Sequence, residues 1–228
     1  MARRAAVTLD SDSLLGQLET GARALGLELP SERLSLAVSY FRLLERWNRA
    51  YNLTRLSRPR EMVTRHGLDS WTVLEYLRGC HVVDLGTGAG VPGILLACAR
   101  PELSVTLVDA NAKKVRFCRH ACLELGLDNV SVVRGRAPVL PSVPPADTIV
   151  ARAVADLSVL MSWSRPLGAR GSRLIAMKGR RPVRELEELR GMGQNARVHR
   201  VRVPGTDLDR HLVLIDLNAE PPASPGTS

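Results

Sequence analysis

From residue 81 onward the chain alternates short apolar runs with stretches of helical spacing, and nothing else in the sequence constrains the fold as tightly. The runs lie at 81–85 (His-Val-Val-Asp-Leu), 104–109, 130–133, 147–151 and 173–177. Between them, 92–100, 111–126, 154–163 and 182–190 repeat apolar residues every three or four positions. Strand-length runs that alternate with helices form parallel βαβ units, and so a doubly wound α/β sheet. Two further runs, 197–203 and 211–217, are separated only by Pro204-Gly205 and a polar loop, so an antiparallel hairpin is expected at the sheet edge. The expected architecture is a Rossmann-like, mostly parallel seven-stranded sheet ending in that hairpin.

Residues 1–75 have a different texture and read as a helical extension to a core spanning 76–218. Leu34, Ala37, Tyr40/Phe41, Leu44, Trp47 and Tyr51 form one stripe of a long amphipathic helix over 32–53, with Ser31 as its expected N-cap after Pro30. On that stripe Trp47 and Tyr51 read as core packing rather than as stacking surfaces. A shorter helix is expected over 11–25, and another from Pro59 to Leu77. The tail 219–228, with three prolines, is expected to be disordered.

The strongest local signal is Val82-Val83-Asp84-Leu85-Gly86-Thr87-Gly88-Ala89-Gly90-Val91-Pro92-Gly93. A buried strand enters a loop whose glycines allow backbone to approach a ligand, and a helix starts near Pro92. In an open α/β sheet this first turn is where nucleotide-like ligands sit. Gly88-x-Gly90-x-x-Gly93 also satisfies the dinucleotide fingerprint, which alone is a weak signal. Asp84, closing the strand before the first glycine, is placed to receive a ligand's ammonium group. Asp109 ends the next strand 19 residues past Gly90, where a carboxylate can take both ribose hydroxyls. NAD and adenosylmethionine share that ribose, so Asp109 fits either. The Gly-x-Gly-x-Gly form starting at Gly86 and including Gly88 points to adenosylmethionine-dependent methyltransferases.

Composition enters through charge. There are 32 Lys and Arg against 23 Asp and Glu, a net +9, and lysine supplies only positions 113, 114 and 178. Residues 42–65 hold seven Arg and two Glu, and 165–202 hold eleven Lys/Arg and three Glu. Clustering of this kind points to an anionic partner. Four cysteines at 80, 98, 118 and 122, with no Cys-x-x-Cys pair, read as small buried hydrophobes in a reducing cytoplasm. Cys118 and Cys122, one helical turn apart, read as core. No metal-ligand constellation, signal peptide or membrane-spanning run is apparent, so a cytoplasmic chain is expected.

Six segments then follow in order: Trp47-Asn48-x-x-Tyr51-Asn52-Leu53-Thr54, Arg65-His66-x-x-Asp69-Ser70, Asp84 to Gly93, Lys113-Lys114-Val-Arg-Phe117, Arg152-Ala153-Val-Ala155 and Met177-Lys178-Gly179. The series closely resembles the bacterial small-subunit rRNA guanine-N7 methyltransferases, the RsmG or GidB family, over about residues 40–217. The Trp-Asn…Asn-Leu-Thr and His-x-x-Asp-Ser segments are more specific than the glycine loop. The resemblance implies a class I methyltransferase that methylates guanine N7 in a 16S rRNA loop of the ribosomal small subunit, with S-adenosyl-L-methionine as cofactor. It further implies cofactor contacts by Gly86, Val91, Ala137, Pro138 and Arg152. Family members commonly carry an acid where Pro138 stands, so a side-chain contact there does not transfer.

Guanine N7 carries an in-plane lone pair and needs no general base, in keeping with the lack of a Ser-His-Asp or Cys-His arrangement. Arg152 is expected to hold an anion, either the methionine carboxylate or an RNA phosphate, because methylated guanine is cationic and would repel it. His66 and Asp69, on one helix face, are candidates for the acceptor pocket or for a pair that docks the N-terminal helices. Lys178, at the end of the fifth run, is a candidate for a phosphate. Lys113-Lys114-x-Arg116 is a candidate RNA-backbone contact or a solvated face. The chain is expected to act as a monomer. Rival functions are a methyltransferase for another RNA, a protein or a small molecule, an NAD(P)-dependent oxidoreductase, and an RNA-binding protein without catalysis.

Overall fold

The computed structural model describes residues 2–140 and 142–218; the tail expected to be disordered lies outside them. Two helices open the chain, α1 (Ala2–Ala24) and α2 (Ser31–Tyr51). The N-cap of α2 is Pro30 rather than Ser31, which is already the first helical residue, and no side chain caps that end. At the other end Asn52 takes the left-handed conformation, φ 50°. Asn48 organises the turn that follows: its Oδ1 accepts from Thr54 N–H at 2.9 Å and its Nδ2 donates to the Leu56 carbonyl at 3.2 Å.

The single helix expected over 59–77 is instead four pieces: α3 (Pro59–Met62), a π turn (Val63–Leu68), α4 (Asp69–Trp71) and a 3₁₀ turn (Leu74–Tyr76). Widening a helix by one residue per turn shifts the side chains after it around the axis, which a 3.6-residue periodicity cannot anticipate. At Gly67, inside the π turn, a Cβ would stand 3.0 Å from the Phe41 ring and 3.2 Å from Leu18. Helices α1 and α2 therefore pack directly on backbone there.

The sheet follows as β1 (His81–Leu85), β2 (Ser104–Asp109), β3 (Val130–Arg134), β4 (Ala146–Arg152), β5 (Gly168–Lys178), β6 (Arg197–Arg202) and β7 (Asp209–Asp216). Helices α5 (Gly93–Ala99), α6 (Ala112–Leu125), α7 (Leu157–Ser164) and α8 (Val183–Gly191) separate the strands. The order is β3-β2-β1-β4-β5-β7-β6, with β7 antiparallel to both neighbours and the other pairs parallel, so the expected hairpin does close one edge. β1 is covered on both faces, which is why it reads as an apolar run without alternation. α6 is bounded as its sequence suggests: the Asn111 side chain accepts from the N–H groups of Lys113 and Lys114, and Gly126 ends the helix at φ 62°.

From β1 the chain winds outward through β2 and β3, then returns to place β4 on the other side of β1. The loops leaving β1 and β4 therefore diverge, and this reversal opens a crevice at the carboxyl edge of the sheet. Two layers cover the sheet. On one side α7 and α8 bury Leu157, Leu160 and Leu189 against Val83, Ile149 and Leu174. On the other, a continuous apolar cluster joins Leu14, Leu18, Phe41 and Trp71 of the N-terminal helices to Ile94, Leu96 and Phe117 of α5 and α6.

Two buried polar contacts fix the N-terminal helices to the core. Trp71 Nε1 donates to the Leu95 carbonyl at 3.0 Å, and Tyr40 Oη donates to the Ala89 carbonyl, inside the glycine loop, at 2.8 Å. Tyr40→Phe leaves a buried carbonyl without its donor. The expected loss is about 1–3 kcal/mol of unfolding free energy, seen as a lower urea midpoint at an unchanged m-value.

Candidate active site

The glycine loop is held by three anchors. Gly86 and Thr87 donate their N–H groups to the Val108 carbonyl at 2.8 and 2.9 Å, tying the loop to the end of β2. Asp84 is fully buried below the loop; its Oδ2 accepts from Thr87 Oγ1 at 2.6 Å and from Gly93 N–H at 2.7 Å. The third anchor is Asp109, whose Oδ2 accepts from Gly88 N–H at 2.9 Å while Oδ1 accepts from Asn111 N–H at 2.7 Å. Gly93 has to be glycine, since a Cβ there would collide with Leu107 and lie 2.8 Å from the Asp84 carboxylate. Gly86, at φ 74°, sits under the Val154 side chain, whose Cγ2 would be 2.5 Å from a Cβ.

Burial pushes the Asp84 carboxyl up to about 7, although the Thr87 and Gly93 hydrogen bonds pull in the opposite direction. Its Oδ1 is buried and has no hydrogen-bond partner. A carboxylate oxygen left in that state is a ready acceptor for a donor brought by a ligand.

Above these anchors lies a cleft of about 350 Å³, lined by Gly86, Asp109, Ala110, Lys114, Gly135, Arg136, Ala137, Ala153, Val154 and Trp163 among others. The volume lies in the range of small-molecule sites. Gly86, Asp109 and Ala137, singled out from sequence, are thus brought together in its walls. Gly88 and Asp84 serve it from behind as anchors. Val91 is buried in the core side of the loop, its N–H donating to the Thr87 carbonyl at 3.0 Å, and Pro138 is exposed beyond the cleft wall.

Arg152 turns the other way, towards the N-terminal helices. Its Nη2 donates to the Arg65 carbonyl at 2.9 Å and lies 3.3 Å from Asp69 Oδ2. The anion it holds in this structure is a carboxylate of the protein itself. Asp69, 1% exposed, also accepts from Arg210 Nε at 2.9 Å through Oδ1. The Arg152 contact is an ion pair without hydrogen-bond alignment, so Oδ2 keeps an unused acceptor site. His66, 7% exposed, lies beside Arg152, with Nδ1 3.4 Å from Nη1. Burial first, and the guanidinium second, pull its pKa down to about 4, so the ring is neutral at ordinary pH. Nδ1 then donates to the Arg65 carbonyl at 3.1 Å and Nε2 accepts from Thr54 Oγ1 at 3.1 Å.

Lys178 faces α7 and α8, donating to Glu185 at 2.8 Å and to the Ala155 carbonyl at 3.1 Å. Glu185 also accepts from Leu157 N–H at 2.7 Å, so the pair fastens the segment after β4 that borders the cleft. Of the Lys113-Lys114-x-Arg116 run, Lys114 lines the cleft while Lys113 and Arg116 are exposed on α6. Two expectations are corrected by burial. Cys80 is exposed, because it lies in the turn before β1 rather than in a strand, whereas Cys98, Cys118 and Cys122 are buried. Tyr51 is 40% exposed at the last residue of α2, beyond the reach of the core.

Sequence reasoning missed Tyr40, Thr87, Glu185 and Arg210. Thr87 sat in plain view within the glycine loop, but hydroxyls there carry no motif. Arg210 belongs to the site only because β7 inserts beside β5 and brings its first residues to the carboxyl edge. Asp69→Ala removes the carboxylate shared by Arg152 and Arg210. Breaking such a buried pair costs about 3–5 kcal/mol, and the low end is expected because both guanidiniums keep some solvent contact; chemical denaturation measures it.

Comparison with known proteins places the chain. A family model described as rRNA small subunit methyltransferase G matches residues 33–213. The ribosomal RNA small subunit methyltransferase G of Alkalilimnicola ehrlichii is 46% identical over 202 residues, covering 89% of this chain and 92% of that protein. The protein of the same name from Escherichia fergusonii is 40% identical over 205 residues, covering 90% and 99%. Among solved structures, a glycopeptide N-methyltransferase, MtfA, complexed with S-adenosyl-L-homocysteine superposes with a TM-score of 0.57 at 12% identity, over 67% of this chain and 87% of that one. A methyltransferase from Pyrococcus furiosus gives 0.56 at 13% identity, over 80% and 98%. Likeness at those identities concerns the Rossmann-like methyltransferase fold. The sequence matches reach further: the chain belongs to the family of ribosomal RNA small subunit methyltransferase G.

Proposed function

We propose that the protein uses S-adenosyl-L-methionine to methylate guanine N7 in a loop of 16S rRNA on the ribosomal small subunit. The observation that carries this reading is the convergence of Gly86, Asp109 and Ala137 around one cleft, at the glycine loop whose buried anchor Asp84 keeps Oδ1 without a hydrogen-bond partner. Relatives named for small-subunit rRNA methylation supply the substrate class.

The residues fit the cofactor. Asp84 Oδ1 is a buried acceptor suited to an ammonium group. Each Asp109 oxygen spends one acceptor site on a backbone N–H and retains another for a ribose hydroxyl. Backbone at Ala137 and Pro138 is available to an adenine edge. When bound, adenosylmethionine supplies a methyl group on a sulfonium, an electrophile that needs no further activation.

Guanine N7 has no proton to lose, so the chain's own task is to place it in line and exclude water. The polar groups nearest the end of β4 are consistent with that task. His66 is neutral and engaged through both nitrogens, and Asp69 is held by two arginines. As rigid walls of an acceptor pocket they orient; neither is poised as a base. Arg152, balanced by Asp69, holds His66 and the Arg65 backbone in place, while Lys178 and Glu185 steady the segment Ala153–Asp156. Arg55, Arg58 and Arg65 are exposed on the neighbouring rim and make no side-chain ion pair or hydrogen bond among the described residues, which leaves them for phosphates. Such contacts supply position and affinity rather than base identity.

Incubation with tritiated-methyl adenosylmethionine and small subunits from cells lacking this enzyme is expected to label 16S rRNA at a single guanine N7. Label at another atom, or none with cofactor demonstrably bound, overturns the proposal. Because Asp84 is protonated in the free protein below about pH 7 and an ammonium partner requires it ionised, affinity for adenosylmethionine is expected to rise about tenfold per pH unit up to about 7 and then level off. Calorimetry across pH 5–8 checks this, and Asp84→Asn is expected to bind roughly tenfold or more weakly at pH 8 with the pH dependence gone.

A further inference from the structure

Trp47 and Tyr51 belong to one of the two most specific sequence segments of this chain, yet the site described above uses neither. The structure places them in a row of rings on the outer face of α2 and α6. Tyr51 lies against Trp47 with centroids 5.2 Å apart and planes tilted by 32°, and Trp47 lies against His120 at 5.0 Å and 38°. Phe117 meets Trp47 edge-on at 5.6 Å and is fully buried, so it anchors the row to the core. At the other end Tyr51 is 40% exposed, and its hydroxyl makes no hydrogen bond among the described residues. A partly exposed aromatic residue whose ring lies against a second ring fixed in place has the makings of a stacking platform.

Its position ties it to the cleft from two directions. Three residues beyond Tyr51, Thr54 meets His66, which stands beside Arg152 at the end of β4. On the other element, Lys114 lines the cleft one turn before Cys118, and Lys113 and Arg116 lie one turn before Phe117 and His120. Lys113 and Arg116 are exposed and unpaired among the described residues, as are Arg55 and Arg58 beyond Tyr51. Cations on both flanks of an open aromatic ring match a single-stranded polyanion that carries planar bases.

We propose that Tyr51, supported by Trp47, stacks an unpaired base of the RNA flanking the methylated nucleotide. This rests on the RNA substrate proposed above. Tyr51 would act as a positioning residue that holds the loop in register, and not on the reacting atoms.

The test compares Tyr51→Phe, Tyr51→Trp, Tyr51→Leu and Tyr51→Ala in methyl transfer to small subunits, with melting temperature and cofactor affinity measured in parallel. Stacking predicts that Phe and Trp keep KM for the subunit near wild type. Leu and Ala are expected to raise it about 5- to 100-fold, with kcat, cofactor affinity and melting temperature little changed. If Leu performs as well as Phe, or if a rise in KM follows a matching fall in melting temperature across the series, the ring is only packing and the proposal is overturned. Transfer by the wild type alongside an unaffected Leu variant would sink this inference alone, whereas no transfer by the wild type would sink the RNA reading beneath it.

Discussion

The Asp84 carboxylate is the constraint on which the site depends. It lies at the end of the central strand, without solvent, and its Oδ2 gathers Thr87 and Gly93 from opposite ends of the glycine loop. A loop with three glycines at positive φ has little intrinsic preference for one shape. One buried acceptor, shared by a hydroxyl and by the N–H that opens α5, selects the shape in which Gly86 faces the cleft and Gly88 is tied to Asp109 behind it. Burial opposes ionisation at this group while its partners favour it, and the balance near neutrality leaves Asp84 responsive to a cation.

A second carboxylate does for the N-terminal helices what Asp84 does for the loop. Asp69 draws Arg152 from β4 and Arg210 from β7 onto the helical segment after the π turn. Tyr40 reaches from α2 to the Ala89 carbonyl, so the same helices also hold the far side of the glycine loop. The glycine loop and the polar cluster at the end of β4 are therefore both tied to the N-terminal helices.

The strands and the mostly parallel, doubly wound sheet were legible because both faces of the central strands are buried and each crossover helix keeps its period. The hairpin at 197–217 was legible for the complementary reason, a gap too short for a crossover. Asp84 and Asp109 stood out because each is an acid at a strand end beside the glycine loop, and in the structure both anchor that loop. What escaped was everything decided by packing between distant segments. Arg152 was expected to hold a ligand's anion, and in the structure it holds Asp69, a residue 83 positions away. The π turn, where Phe41 and Leu18 approach Gly67 closely, has no periodic signature. Tyr51 shares the stripe of α2, yet the helix outruns the core it packs on, so the last turn of the stripe emerges into solvent.

The arginine excess divides along the same physical line. Arg78, Arg173 and Arg197 converge on Asp216, which sits level with the start of β1 and far from the cleft, and three guanidiniums hold that carboxyl below the usual range. Arg46 and Arg49 pair with Glu124 and Glu45 along the helices. These cations are matched within the chain and are poor candidates for a partner, although several fall in the two basic clusters. Arg55, Arg58 and Arg65, in contrast, sit within a few residues of Thr54 and His66, and their side chains make no ion pair or hydrogen bond among the described residues. Clustering in sequence thus overstates the basic surface. Part of what remains unmatched, Arg55, Arg58 and Arg65, lies in the segment that carries Thr54 and His66, next to the polar cluster at the end of β4.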